Sequence, residues 1–232
     1  MSKKYILVTG ANSFVAKNLI DKQFIRNYNC IETDIVSREN KIDFIKADLV
    51  NILPSDIPYK KIDHILHLGA VSTSQSFQND VKTSYQTNLL SLLNVIEIAK
   101  EKKTKSIIFA SSEWVYGQNN NNFQIEADEI DTKDLGSEYA LSKLLGEQIL
   151  RYYCNKNKIK LIVLRFGIIY GNKDINLCAV EAIFKSLMKD SSSISVGSLS
   201  SARRFIHVDD ICRAINLALQ YNENITLNIS GD

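Results

Sequence analysis

Tyr139 and Lys143 stand four residues apart in YALSK, inside a pattern that predicts a helix from about Ser137 to Asn157. That spacing puts both side chains on one helix face, one turn apart. An ammonium beside a phenol stabilises the phenolate and lowers the tyrosine pKa from its usual value of about 10. The phenol can then exchange a proton with an alcohol or ketone near neutral pH. Tyr-x-x-x-Lys recurs by chance in many helices, so the pair is weak evidence alone. It gains weight because it follows a predicted strand, SIIFASS (106–112), that ends in Ser111-Ser112. A serine hydroxyl there could hydrogen-bond the same substrate oxygen.

The stretch YILVTGANSFVAKNLI (5–20) reads as a buried strand, a turn at Gly10 and a helix. This is the layout of a dinucleotide-binding loop, in which a helix N-terminus holds a pyrophosphate. Such loops usually carry three glycines; here Ser13 and Ala16 stand where the second and third are expected. If position 13 requires φ > 0, serine costs roughly 1–2 kcal/mol. If it opens the helix with negative φ, the cost is small and the hydroxyl is available to a phosphate oxygen. Asp34 closes the second predicted strand, where a carboxylate can accept from both hydroxyls of an adenosine ribose. It would also repel a 2′-phosphate, which favours NAD and leaves NADP as the alternative, with nearby Arg38 able to blur the preference. Asp48 and Leu49 follow the third strand and could flank the adenine with one polar and one apolar contact. Either acid taken alone is more often an ordinary loop carboxylate.

These residues need a frame, and the pattern supplies one. Strand-like runs at 29–36, 41–49, 63–70, 106–112 and 160–166 alternate with helical patterns, the longest at 80–103 and 137–157. The tail adds VEAIFKSLMK as a helix, RRFIHV as a strand and VDDICRAINLALQY as a helix. Such alternation predicts an α/β fold, a doubly wound parallel sheet of Rossmann type. Residues 1–166 read as the dinucleotide-binding domain, and 167–232 as a mixed region of substrate-lobe elements plus a returning strand and helix. The run GQNNNNFQ (117–124) predicts an exposed loop. The helices at 80–103 and 137–157 have apolar faces wider than one sheet requires, which points to a homodimer through them, with cover by nearby loops as the alternative.

Composition excludes several classes. The 232 residues are 45% hydrophobic, enough for a substantial core, and 28 basic against 26 acidic residues leave a charge of +2. No basic run suggests a nucleic-acid partner. Cys30, Cys154, Cys178 and Cys212 are scattered, which fits a reducing compartment and neither a disulfide framework nor a metal site. No run predicts a signal peptide or a membrane span, so a soluble, cytoplasmic protein is expected.

The ordered set TGANSFVA, Asp34, Asp48-Leu49, HLGA, TNLLSLLN, SSEWVYG, YALSK, LRFGIIYG, RRFIHVDD and LNISG resembles the extended short-chain dehydrogenase/reductase family. More narrowly, it resembles the NAD-dependent epimerase/dehydratase group that acts on nucleotide-diphosphate sugars. The resemblance implies Tyr139 as acid/base, Lys143 as its partner on the nicotinamide ribose, Ser112 as the catalytic serine and Asn88 as a structural asparagine behind the proton path. It also implies that Gly10, Ser13, Phe14 and Val15 line the pyrophosphate and that Leu68, Gly69 and Ala70 pass beneath the adenosine half. Arg203 matches the arginine that grips the substrate diphosphate, with Arg204 as its substitute one register away. Glu113 becomes a substrate-facing carboxylate, and His207 a structural residue.

Two further departures bear on the reaction. Dehydratases of this kind place an acid two residues after the catalytic Ser or Thr, where this chain has Trp114. Dehydration is therefore disfavoured. The sequence stops at LNISGD, which implies a small or open sugar pocket, or one completed by another chain, and tips the expectation from C4 epimerisation toward 4-ketoreduction. The rival is a non-catalytic NAD-binding scaffold or sensor, to which the thinned glycine loop lends weight and the joint presence of Ser112, Tyr139 and Lys143 does not.

Overall fold

The structure is a computed structural model that describes residues 3–38, 43–117, 124–173, 175, 177–189, 193–197 and 202–231. Among these residues the strands are β1 (Lys4–Thr9), β2 (Tyr28–Asp34), β3 (Phe44–Lys46), β4 (His64–His67), β5 (Ser106–Ser112), β6 (Lys160–Phe166), β7 (Ile168–Tyr170), β8 (Phe205–His207) and β9 (Ile225–Ile229). Seven form one sheet in the order β3-β2-β1-β4-β5-β6-β9, and every pairing in it is parallel. β7 and β8 form a separate parallel pair. The order reverses between β1 and β4, and in such sheets the crevice at the carboxyl ends of those two strands is where ligands bind.

The helices are α1 (Phe14–Asp21), α2 (Ser74–Asn79), α3 (Val81–Tyr85), α4 (Ser91–Glu101), α5 (Glu138–Asn157), α6 (Ala179–Lys189) and α7 (Val208–Ala218). The pleat of the sheet divides the core in two. Ile6, Val8, Leu66, Ile108 and Leu164 pack with Leu19 of α1 and Ile211 and Ile215 of α7. Leu7, Ile65, Ile107, Phe109 and Val163 pack with Leu92, Val95 and Ile96 of α4 and Leu150 of α5. Successive strand residues point to opposite faces, so strands covered by helices on both sides are apolar throughout.

The expected strands at 106–112 and 160–166 are present with those bounds, and the helix expected at 137–157 is α5, with Ser137 accepting from the amide of Ala140 as its cap. The helix expected from 80 to 103 is not a uniform α-helix. Asp80 caps α3, then Gln86–Leu90 form one wide π turn that leads into α4. α2 and β7 were not expected. The Asn-rich loop lies largely outside the described residues.

Candidate active site

Gly10 lies at the end of β1 with φ +66, a left-handed conformation. A Cβ placed there would sit 2.5 Å from the Cα of Gly69, so the turn after β1 rests backbone to backbone on the end of β4. No other residue type satisfies both conditions. Ser13 faces neither problem. Its φ is −65, it is the N-cap of α1, and its Oγ accepts from the amide of Ala16 at 3.3 Å. Serine is among the preferred residues for that place. Ala16 is fully buried in the core beneath α1.

These details fit a dinucleotide. The amides of Phe14 and Val15 open α1 and have no acceptor within the helix, which is the standard anion seat at a helix N-terminus. Asp34 sits at the adjoining end of β2, and its two oxygens accept from the amides of Asn12 (2.9 Å) and Val36 (3.2 Å). Its carboxylate keeps further lone pairs for a ribose. Arg38 does not blur this seat. It donates two bonds to Asp21, at 2.9 and 3.0 Å, and one to Glu32 at 3.1 Å. Asp48 is engaged with its own turn, accepting from the Val50 amide and the Asn51 side chain, while Leu49 packs against Gly69. Leu68 and Gly69 follow β4, their amides bonded to the carbonyl and hydroxyl of Thr9. Ala70 continues that segment, half-buried.

Ser112, Tyr139 and Lys143 meet at the same carboxyl edge. Ser112 ends β5 and is buried; its Oγ accepts from the Trp114 amide at 3.3 Å, and its hydroxyl acts on the Tyr139 phenol in the direction that favours the phenolate. Lys143 is buried, donates to the carbonyl of Ala110 at 2.8 Å and lies 5.0 Å from the Phe109 ring centroid and 5.8 Å from that of Tyr139. The expected lowering of the tyrosine pKa is not found. Burial pushes the phenol up to about 12, and the Ser112 hydrogen bond offsets only part of that. Burial also brings the lysine down to about 8, against the opposing pull of Glu147. Spacing alone reveals the neighbours and not the desolvation, which dominates here.

Asn88 sits in the π turn and bridges two elements. It accepts from the Val71 amide at 2.7 Å, and its NH₂ group donates to the Val71 carbonyl at 2.9 Å and the Ser142 hydroxyl at 3.0 Å. The segment after β4 is thereby tied to α5 within one turn of the tyrosine. Glu113 follows Ser112 with one oxygen close to Gly167; burial raises its pKa, and the charges of Arg203 and Arg204 oppose that rise. Arg203 is exposed and donates to the Ala202 carbonyl. His207 caps α7 by accepting from the Asp209 amide, a structural position.

Two residues at this edge were missed by sequence reasoning. Phe77 of α2 is buried and packs edge-on against Tyr139, with centroids 6.5 Å apart. Lys173 lies 5.2 Å from the Phe14 ring centroid, donating to the Ile169 carbonyl. Neither stands in a motif, and only the fold brings them there.

A parallel sheet with this strand order, a glycine turn at its switch point and a Ser–Tyr–Lys set at its carboxyl edge define a Rossmann-type protein of the short-chain dehydrogenase/reductase class. The chain belongs to the NAD dependent epimerase/dehydratase family, whose model matches residues 6–230. It is 29% identical over 232 residues to a putative UDP-glucose 4-epimerase of Methanocaldococcus jannaschii, covering 95% of this chain and 75% of that protein. It is 25% identical to a dTDP-D-glucose 4,6-dehydratase of Dictyostelium discoideum, covering 94% of this chain and 56% of that one. Among solved structures, UDP-glucuronic acid 4-epimerase from Bacillus cereus, in complex with UDP-glucuronic acid and NAD, superposes with a TM-score of 0.82 at 25% identity over 98% of this chain and 78% of that chain. A UDP-glucose 4-epimerase of Thermotoga maritima has the same fold, with a TM-score of 0.84 at 24% identity over 97% of this chain and 76% of that chain.

Proposed function

We propose that the protein inverts C4 of a nucleotide-diphosphate sugar with NAD as its cofactor. The observation that carries this reading is the meeting of buried Ser112 and Lys143 with the Tyr139 phenol at one sheet edge, next to the seat made by Gly10 and Gly69. Gly10, Ser13, Phe14, Val15 and Lys143 would hold the phosphates and the nicotinamide ribose, and Asp34, Asp48, Leu49, Leu68, Gly69 and Ala70 the adenosine half. NAD supplies a reversible hydride acceptor when bound. The chain's own work is proton transfer and orientation. Tyr139 takes the proton of the C4 hydroxyl and later returns it, Ser112 holds the sugar oxygen, and Lys143 favours the phenolate by its charge. Asn88 keeps α5 in place, and Arg203 takes the substrate diphosphate with its bidentate fork.

The relatives named 4-epimerase support epimerisation over the ketoreduction that the sequence reading favoured, and they outweigh the scaffold alternative. Trp114, half-exposed where a dehydratase acid is expected, speaks against dehydration. β7, α6 and β8 serve in this reading as the substrate lobe. Leu90, Leu93, Leu145 and Tyr152 are exposed on α5 and the helical run that ends in α4, which supports a homodimer through those helices. No described helix is long and apolar enough to cross a membrane and none of the four cysteines forms a disulfide, which is compatible with the cytoplasmic reaction of this reading.

The test is incubation of the purified protein and NAD with UDP-glucose, UDP-N-acetylglucosamine and UDP-glucuronic acid, with products resolved by NMR. Appearance of a C4 epimer supports the reading. NAD binding without conversion of any of them would favour the scaffold.

A further inference from the structure

A buried ion pair lies one helical turn beyond Lys143, and no step above uses it. Glu147 of α5 is fully buried, and its carboxylate accepts four hydrogen bonds. One oxygen takes the Ser111 hydroxyl at 2.6 Å and Arg165 Nε at 3.0 Å. The other takes Arg165 Nη2 at 2.8 Å and Arg151 Nη2 at 3.4 Å. The remaining arm of Arg165 donates to the Tyr116 hydroxyl at 2.7 Å, which in turn donates to Asn228 at 2.8 Å. The pairing registers place Ser111 beside Arg165 and Arg165 beside Asn228, a row across β5, β6 and β9. Glu147 and Arg165 are buried, while Arg151 reaches solvent.

We propose that Glu147 is a positioning residue for the reaction, clamping the helix that carries Tyr139 and Lys143 to the strand that carries Ser112. This rests on the function proposed above. The clamp fastens both carriers next to their reacting groups, since Ser111 precedes Ser112 and Glu147 lies one turn from Lys143 on the same face. A buried pair is a poor source of stability, because desolvation cancels most of its attraction, and replacing both partners by apolar residues is often neutral or favourable. Its value here is geometric and electrostatic. The titratable and charged groups around Lys143 are Tyr139 and Glu147 on α5, His67 on β4, and, behind Glu147, Arg165 on β6 and Arg151. Burial holds His67 neutral, with a pKa of about 3. Glu147 is the acid that favours the charged lysine.

The experiment compares the full-length protein with Glu147→Leu/Arg165→Leu, which removes both charges, and with Ser111→Ala, which removes one bond and keeps the pair. In the double variant, kcat falls on the order of tenfold with the sugar KM little changed, because the groups are misplaced and the sugar contacts are intact. Lys143, followed by ¹³Cε-lysine NMR in the cofactor-free protein, titrates about one pH unit lower than in the wild type. Ser111→Ala loses several-fold in kcat with an unchanged Kd for NAD. A folded double variant with wild-type kcat and Lys143 titration overturns the proposal. Should the double variant not fold, wild-type kcat in Ser111→Ala overturns it alone. If the wild type converts no sugar, the function reading fails, and the Lys143 titration still decides whether Glu147 controls the lysine.

Discussion

The Lys143 ammonium is bonded to the Ala110 carbonyl at 2.8 Å and stands 5.8 Å from the Tyr139 ring centroid. It is anchored to the strand and faces the phenol without being bonded to it. In the cofactor-free protein the phenol stays protonated, with a pKa of about 12, and the lysine has a pKa of about 8. Lys143→Met should therefore abolish turnover and stabilise the fold at pH 7, by about 1–2 kcal/mol after loss of the Ala110 bond, since it removes a desolvated charge. The sign follows from linkage. The folded pKa lies below the unfolded one, so burial of the charge costs most below pH 8. Urea denaturation at pH 7 and at pH 10 measures the gain, which should shrink at the higher pH. Tyr139→Phe should also abolish turnover while leaving NAD affinity within about twofold, as read by calorimetry.

Ser13 is a cap and not a damaged glycine. Ser13→Ala should cost about 1 kcal/mol and Ser13→Gly only a few tenths, so restoring the familiar glycine brings no gain in stability. Gly10→Ala is the contrasting case. It places a methyl group against backbone in a left-handed position and should cost at least about 2 kcal/mol. Denaturant midpoints of the three variants give the ranking directly.

Cofactor choice depends on more than Asp34. Asp34→Ala removes the carboxylate that would repel a 2′-phosphate, but Arg38 remains held by Asp21 and Glu32. The single change should raise the NADP-to-NAD affinity ratio less than about tenfold. Adding Asp21→Asn loosens the Nη2 arm for a phosphate contact while Nη1 stays on Glu32, and should raise the ratio about tenfold further. Equal ratios in the single and double variants would show that Arg38 does not reach the phosphate.

Two buried histidines make the fold acid-sensitive. Burial lowers His64 to about 4 and His67 to about 3, both below the unfolded value of about 6.5. The unfolded chain therefore binds protons that the fold refuses, so stability is full above about pH 6.5 and declines as pH falls toward the folded values. Glu113, raised by burial, acts in the opposite direction. Unfolding free energy should drop by about 3 kcal/mol between pH 7 and pH 5. His64→Gln should remove roughly half of that slope in urea titrations at the two pH values.

β5 and β6 were legible to the residue because strands covered on both faces carry continuous apolar runs, IIFA and LIVL here, bounded by polar residues. α2 was not, because SQSFQN contributes one buried aromatic, Phe77, and no periodic stripe. β7 has three residues and no pattern of its own. At the site, motif order singled out Ser112, Tyr139 and Lys143, which the fold brings to one sheet edge. The state of the phenol was illegible because it depends on how much water the fold excludes. The commitment of Arg38 was equally hidden, since Asp21 and Glu32 belong to other elements and meet it only in space.

The π turn at Gln86–Leu90 has a consequence for insertions and deletions. It places one more residue in the helical run from Val81 to Glu101 than a uniform α-helix would use, and Asn88 occupies that wide turn. Deleting one residue there would let the run relax into regular helix with both ends still in register, removing the wide turn that Asn88 occupies. The side chain that joins Val71 to Ser142 would swing away, while the apolar composition of the helix stayed nearly the same. A single lost codon in this turn would be tolerated by the core and felt at the active site, so an unequal effect on folding and on function is the signature to look for in deletion variants.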